Sequence, residues 1–334
     1  MNNLSKSVLL SALLLALCCC AGPQKGGQAL GAGSEGGAPT SLRLLYWNVQ
    51  NGMWSGQGED YSRFVEWVRE KDPDICVWCE GQANYVTGTA DPLPDDPDKY
   101  LYGLWQDLGK RYGHEYVAFS GRRDRYAQVV TSKYPIETVA RLTGEAPDSI
   151  VSHGSGWFAV ERGGRKLNIV TLHTWPQRYR MGAPDREASG AAREGDLYRR
   201  MEIQYICEHT IGTVAGAAGQ YWMMMGDFNS RSRRDNYFYK YPDTDTRFLV
   251  HDYIHGFTPY IDVIGSLSPG KFITTTGGEA RIDFLYCTKH LFDSVVSAEV
   301  VSDSYTTPVR DPQKLSNFWH PSDHRPILVD FTLR

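Results

Sequence analysis

Charge of one sign, long apolar runs and pairable cysteines are all scarce in this chain of 334 residues. Its 35 Lys and Arg nearly balance 39 Asp and Glu, giving a formal net charge of −4 and a pI near 6.1. No global field therefore draws it to nucleic acid, although a local basic patch is compatible with that sum. The apolar stretch Val8 to Leu17 is too short to cross a bilayer. Three of the seven cysteines are adjacent, Cys18 to Cys20, which leaves Cys76, Cys79, Cys207 and Cys287 for a folded region. Cys76 and Cys79 form a Cys-x-x-Cys, but no second Cys/His pair at zinc spacing accompanies them. Three apart in a strand, they point to opposite faces as two small buried residues. An exported protein could pair its cysteines, and the connectivity is not readable from sequence. There is no internal repeat and no coiled coil. With 22% charged and 41% hydrophobic residues, the balance is globular, not disordered.

What is present begins with Lys6, the short apolar stretch and Cys18-Cys19-Cys20-Ala21-Gly22. A charged n-region and short h-region form an export signal, residues 1–20. Its terminal cysteines resemble a bacterial lipoprotein signal, in which the first mature Cys is acylated. The bulky Leu17 before Cys18 departs from that pattern and leaves an ordinary cleaved signal as the alternative. Each buried acyl CH₂ contributes roughly 0.8 kcal/mol, so a multiply acylated Cys would be a firm membrane tether. Residues 21–40, with Gly26, Gly27, Gly31, Gly33, Gly36 and Gly37, read as a flexible tether. A single catalytic domain is expected over 41–334, in a protein exported to the cell envelope, or otherwise periplasmic or secreted.

Within that domain, short apolar runs end repeatedly in a polar side chain. Leu42 to Trp47 ends in Asn48, Ile75 to Cys79 in Glu80, Leu167 to Leu172 in His173, and Tyr221 to Met225 in Gly226-Asp227-Phe228-Asn229. Asp283 lies inside the strand-like run Arg281 to Tyr286, and Ser322-Asp323-His324-Arg325-Pro326 precedes the run Ile327 to Phe331. Runs of this length and composition fit buried strands. Strands that end in Asn, Glu, His and Asp gather polar groups along one rim of a sheet, where rigid elements hold them. Helices are expected over Tyr61 to Lys71, Leu101 to Tyr112 and Leu197 to Ile211, the last with Met201, Tyr205 and Ile206 on its apolar side. A hairpin is expected around Gly163-Gly164, and loops over 84–99, 175–195 and the irregular 231–262. Hairpins and helices alternating with strands imply an α/β fold of mixed sheets covered by helices.

Phosphodiester hydrolysis needs a hard cation in oxygen ligands, an oriented water, and stabilisation of the leaving oxygen. Glu80, Asp323, Asp227, Asn48 and Asn229 supply ligand and water-positioning groups. His173 and His324 supply proton transfer or charge stabilisation, and Asp283 behind one His would orient its ring. Each element alone is more often a solvated strand end, an Asx turn or a surface loop. Their co-occurrence with the same strand-end logic is what carries the reading.

The ordered set resembles the endonuclease/exonuclease/phosphatase superfamily of DNase I-like fold, over Leu42 to Phe331. Trp47-Asn48-Val49-Gln50-Asn51, Glu80, Thr131-Ser132-Lys133-Tyr134-Pro135-Ile136, Thr171-Leu172-His173, Gly-Asp-Phe-Asn, Arg281-Ile282-Asp283-Phe284 and Ser322-Asp323-His324 carry the likeness. It implies a four-layer α/β/β/α sandwich of two mixed β-sheets with outer helices. It implies that Glu80 binds Mg²⁺ with Asp323 and Asn48 nearby, Mn²⁺ or Ca²⁺ being alternatives. Asp227 and Asn229 would position water and phosphate. His324 backed by Asp283 would be base or phosphate clamp, and His173 would stabilise the phosphate or protonate the leaving group. The Gln that often precedes the metal Glu is Cys79 here, and Gln82 is an unsupported substitute.

Two substrate classes follow. Arg231, Arg233 and Arg234 after Asn229, together with Arg122, Arg123, Arg125, Arg178, Arg180 and Arg186, suit a nuclease gripping a polyanion, if they are not solvated or ion-paired. An envelope tether and the aromatics Phe318, Trp319, Tyr237, Phe238 and Tyr239 suit a sphingomyelinase-like or inositol-phosphate enzyme meeting a phospholipid head group. A non-catalytic binding module would be expected to have lost Glu80, Asp227 or His324, and none is lost.

Overall fold

The computed structural model of the chain describes residues 38–50, 60–81, 97–120, 126–310 and 319–334. The expected signal 1–20, the tether up to residue 37, residues 84–96 of the expected loop, Gln82, the three arginines Arg122, Arg123 and Arg125, and Phe318 lie outside the described residues.

Fourteen strands are described: β1 (Thr40–Asn48), β2 (Ile75–Cys79), β3 (Tyr116–Ser120), β4 (Gln128–Ser132), β5 (Ile136–Leu142), β6 (Ser155–Arg162), β7 (Arg165–His173), β8 (Tyr221–Asp227), β9 (Tyr260–Asp262), β10 (Asp283–Thr288), β11 (Val295–Val300), β12 (Val309–Arg310), β13 (Trp319–His320) and β14 (Ile327–Leu333). Twelve of them form two six-stranded sheets, in the orders β11-β14-β1-β2-β4-β3 and β5-β6-β7-β8-β10-β9. Each sheet has one parallel pair, β1 with β2 and β7 with β8, among antiparallel neighbours.

Strand periodicity explains the layering. In β1, Leu42, Leu44 and Tyr46 point to a core shared with Phe158, Leu167, Ile169, Met223, Met225 and Leu285 of the other sheet. The alternate residues Leu45 and Trp47 pack instead on Phe64, Trp67 and Val68 of helix α1 (Ser62–Lys71) and Trp105 and Leu108 of α2 (Pro97–Tyr112). On the second sheet, Val170, Leu172, Trp222 and Met224 turn outward to the helices that follow β7. The result is the α/β/β/α sandwich of two mixed sheets. Cys76 and Cys79 sit on opposite faces of β2, and all four cysteines of the described residues are buried and unpaired.

Three local expectations are corrected. The loop 175–195 contains a short helix, α3 (Arg186–Ala191), which Asp185 caps by accepting a hydrogen bond from Ala188 N. Helix α4 (Glu194–His209) buries Ile203, Ile206 and Cys207, whereas Met201 is exposed; the 3–4 spacing of the buried residues puts Met201 on the far side. The stretch 231–262 is not irregular throughout. It holds α5 (Asn236–Tyr239), α6 (Leu249–Phe257) and β9. Helix α6 carries Val250, Tyr253 and Ile254 at helical spacing but has no side-chain cap, so its start is unmarked in the sequence.

Candidate active site

The parallel pairs bring strand ends to one rim. Asn48 ends β1 opposite Cys79, and Glu80 follows directly. His173 ends β7 opposite Asp227, the last residue of β8, and Asp227 is opposite Asp283. Asp283 therefore opens β10 and does not lie inside it. The Gly-Asp-Phe-Asn segment is explained residue by residue. A Cβ on Gly226 would stand 2.0 Å from the Leu172 carbonyl oxygen, so the close approach of β7 requires glycine. Phe228 is fully buried against Phe284 and Tyr286 and anchors the turn. Asp227 and Asn229 are left facing the rim. At the other end of the chain, Ser322 Oγ donates to the Asn48 carbonyl and Trp47 Nε1 donates to the His324 carbonyl, which ties Ser-Asp-His to β1.

One carboxylate oxygen is the centre of the cluster. Asp227 Oδ2 lies 3.2 Å from Asn48 Nδ2, 3.8 Å from His173 Nε2 and 3.8 Å from His324 Nε2. The other oxygen, Oδ1, accepts from Asn229 N at 2.8 Å, and Asn229 Nδ2 donates to the Thr174 carbonyl at 3.0 Å. His173 Nε2 is also 3.9 Å from Glu80 Oε1. His324 Nδ1 is 2.7 Å from Asp283 Oδ2, and Asp283 Oδ1 accepts from Tyr46 Oη at 2.8 Å. Asp323 Oδ1 lies 3.7 Å from His324 Nε2.

The electrostatics follow from this crowding. Burial, then the Asp283 charge, pushes the Asp227 carboxyl up to about 8. Burial alone would lower His324, but the Asp283 and Asp323 carboxylates outweigh it and raise the imidazole well above its ordinary value. Burial and the neighbouring imidazoles of His153 and His324 hold His173 well below its ordinary value. Two histidines on one rim thus adopt opposite charge states near neutrality, His324 cationic and His173 neutral.

A divalent cation fits the donors Glu80, His173 and Asp227, whose ligand atoms lie within 4.8 Å of one another; Asp227, Asp283 and His324 lie equally close, but a cationic His324 bonded to Asp283 has no lone pair to offer. Carboxylate oxygens suit a hard cation, and closely spaced buried carboxylates invite one. His173 Nδ1 is buried and makes no side-chain hydrogen bond among the described residues, so ring packing is what holds the imidazole. Two features of the geometry bear on the expected ligands Glu80, Asp323 and Asn48. Asp227 shares a group with Glu80, while Asp323 is outside both groups and lines the same cleft. Asn48 turns its amide NH₂ to Glu80 and Asp227, 3.2 Å from each, while its Oδ1 accepts from Gln50 N. In that orientation it clamps two carboxylates and does not offer a cation its oxygen.

The cluster lines a cleft of about 290 Å³ with Gln50, Tyr126, His153, Pro176 and Ile282. Sequence reading missed several of these. The His153 ring lies tilted against His173 at 4.7 Å, and Tyr126 meets both rings edge-on. Both come from segments with no strand-end pattern, so nothing singled them out. Tyr46 was legible in principle, because it lies two residues before Asn48 on the same strand face. Arg231, Arg233 and Arg234 do not line the cleft. Arg233 pairs with Asp252 at 2.8 Å, Arg234 donates to Ser266 Oγ at 2.9 Å, and Arg231 stands over the Tyr239 ring. Arg180 pairs with Glu194 and Arg186 covers Tyr179. Arg178 is exposed, beside Pro176 in sequence, and makes no ion pair among the described residues.

Three non-glycine residues of this rim have left-handed backbones: Glu80 (φ 57°), Asn229 (φ 47°) and Gln50 (φ 43°). Such conformations are costly for side-chain-bearing residues and cluster at functional sites.

A four-layer sandwich with carboxylates and imidazoles converging at its strand ends defines a phosphoester hydrolase of DNase I-like fold. The model of the Endonuclease/Exonuclease/phosphatase family matches residues 45–324, and the chain belongs to that family. Its members are divalent-metal-dependent hydrolases of phosphoester bonds. No curated protein matches the sequence. Among solved structures, the fold is similar to an endonuclease/exonuclease/phosphatase protein of Beutenbergia cavernae, with 16% identity, TM-score 0.56, and 88% of this chain and 72% of that chain covered. It is also similar to an AP endonuclease of Archaeoglobus fulgidus, with 16% identity, TM-score 0.51, and coverage of 87% and 99%. The third is a humanised TDP2 of D. rerio, with 14% identity, TM-score 0.52, and coverage of 87% and 98%.

Proposed function

We propose that the protein is a Mg²⁺-dependent phosphodiesterase acting on nucleic acid. The observation that carries this reading is the Asp227 carboxylate, buried between a cationic His324 and a neutral His173 with Glu80 alongside. Glu80, Asp227 and the neighbouring carboxylates would hold the cation, which when bound neutralises phosphate charge. Asp227 and Asn229 orient the attacking water. His324 is already protonated, so it serves as a charged clamp on a phosphate oxygen and not as the base. His173, being neutral, donates one N–H to the phosphate. Tyr46 and Asp283 fix the His324 ring. Arg178, two residues after Pro176 and without an ion pair among the described residues, and Arg231, two residues after Asn229, would give a polynucleotide backbone its contacts outside the cleft.

The test offers plasmid DNA, an oligonucleotide, sphingomyelin and inositol phosphates in parallel to the full chain with Mg²⁺ and with EDTA. Mg²⁺-dependent cleavage of DNA, abolished in Asp227→Asn and His324→Ala, is the expected result. Hydrolysis of sphingomyelin or an inositol phosphate with the nucleic acids intact would replace the nuclease reading. Full DNA cleavage by both variants would sink the site assignment.

A further inference from the structure

Exposed aromatic rings are unusual on a surface that has apolar cores to hide them in, and here they collect beside the cleft. Tyr237 and Phe238, on α5, are 48% and 37% exposed. Phe238 stacks flat on Phe272, with ring centroids 3.8 Å apart and an interplanar angle of 4°. Next to this pair, Tyr239 and Tyr241 stack at 5.3 Å and 1°. The array adjoins the site through two links. Tyr239 Oη accepts from Arg281 N at 2.9 Å, and the next residue, Ile282, lines the cleft. Arg231, two residues past Asn229, stands 5.6 Å over the Tyr239 ring, with its Nε buried and unbonded.

The charges around the rings are unevenly satisfied. Arg233 is matched by Asp252 and Asp243, and Arg247 by Asp245. Asp235 and Asp262 are both taken by Arg281. Arg234 and Lys271 share a small recess with Tyr237, and neither pairs with a carboxylate among the described residues. Arg231 likewise has none. The exposed rings of Tyr237 and Phe238, the latter backed by a half-buried Phe272, with unmatched cations beside them are what a flexible polyanion carrying planar bases would engage. An interfacial lipid contact would instead call for a longer amphipathic helix, and α5 has 4 residues.

We infer that Tyr237, Phe238 and Phe272, flanked by Arg231, Arg234 and Lys271, form a stacking platform for the bases of a single-stranded segment whose phosphodiester enters the cleft. The inference rests on the nuclease reading above and adds where the strand runs and what holds it. Because every base has a π-face, such a platform confers a preference for unpaired substrate over duplex, with little sequence preference.

The test compares kcat/KM for a 12-nucleotide single strand with kcat/KM for bis(4-nitrophenyl) phosphate, which has no bases beyond the reacting group. It uses the full chain and the variants Tyr237→Ala, Phe238→Ala and Lys271→Gln, at two salt concentrations. In each aromatic variant the ratio is expected to fall roughly tenfold, the size of one lost base–aromatic stack. Lys271→Gln should flatten the salt dependence for the oligonucleotide. A variant that merely folded badly would lose both activities together and keep the ratio, and an unaltered ratio overturns the platform while leaving the nuclease reading intact. A wild-type chain that hydrolyses the small diester but not the oligonucleotide overturns both. Binding of sphingomyelin vesicles that is lost in Phe238→Ala, with oligonucleotide kinetics unmoved, would assign the surface to lipid and overturn the inference.

Discussion

The Nδ1 atom of His324 and the Oδ2 atom of Asp283 are 2.7 Å apart, and both side chains are buried. The second Asp283 oxygen is occupied by Tyr46 Oη, so the carboxylate cannot rotate away. Asp283 thus orients the His324 ring and, with Asp323, offsets the effect of burial on its charge. Asp283→Asn keeps the shape and removes the charge. We expect kcat to fall on the order of 100-fold. The alkaline limb of the rate profile should also move to lower pH, because His324 would lose its proton earlier. A fall in kcat with an unmoved limb would mean that another group titrates there.

A divalent cation should stabilise the protein as well as activate it. Glu80, His173 and Asp227 bring their ligand atoms within 4.8 Å of one another. At 100 times its dissociation constant, a cation that binds only the folded state adds about 2.7 kcal/mol. Melting followed as Mg²⁺ is titrated into EDTA-treated protein should show a rise that Glu80→Gln removes. An equal rise in the variant would place the cation elsewhere.

The strand-end pattern was legible because β-strands deliver their last side chain in a fixed direction, and Asn48, Glu80, His173 and Asp227 all arrive where the pattern puts them. What a strand pattern does not carry is register between strands. That Asp227 meets both His173 and Glu80 depends on the parallel pairing of β7 with β8 and on how the two sheets face each other. His153 and Tyr126 come from loops, whose paths are set by tertiary contacts. The charged loops were the least legible. Whether an arginine grips substrate or an aspartate depends on partners such as Asp252, twenty or so residues away, that no local spacing reveals.

Glu80 provides a test of strain. Its φ of 57° is one that a β-carbon disfavours, by about 1–2 kcal/mol. Glycine adopts it freely, and removing the carboxylate also relieves its repulsion with Asp227. Glu80→Gly should therefore be more stable than the wild type by about 1 kcal/mol in EDTA, despite losing the contact with Asn48. It should also fail to respond to Mg²⁺. Urea unfolding in EDTA decides the matter, and a destabilised variant would show that the Asn48 contact outweighs the strain.

Arg281 belongs to the family-like Arg-Ile-Asp-Phe segment, yet its contacts are structural. Its Nε donates to Asp235 at 2.8 Å, Nη2 donates to Asp262 at 2.7 Å, and its guanidinium covers Phe284 at 4.2 Å. It joins Asp235, just before α5, and Asp262, at the end of β9, to the strand that begins at Asp283. Arg281→Ala strands two buried carboxylates, and we expect a loss of about 3–5 kcal/mol in urea unfolding. Adding Asp235→Asn and Asp262→Asn should recover part of it. No recovery would mean that the lost packing on Phe284 dominates.

His114 predicts how stability changes with pH away from the catalytic rim. Its Nε2–H donates to the Pro73 carbonyl at 2.8 Å. Its Nδ1, 2.9 Å from Thr131 Oγ1, accepts the hydroxyl proton, while Tyr112 Oη and Trp78 Nε1 donate to the same oxygen. A second ring proton would turn Nδ1 into a donor facing a donor. Burial accordingly lowers the imidazole from 6.5 to about 4. The unfolded chain then takes up its proton first as pH falls, so this contribution is complete above pH 6.5 and is lost progressively down to about pH 4. The full difference is roughly 3 kcal/mol. Urea unfolding of the wild type and His114→Asn across that window should show their stability gap closing as the pH falls, and flat below it. A gap that stays constant from pH 7 to pH 4 would mean that the folded protein accommodates the protonated ring without disturbing Thr131.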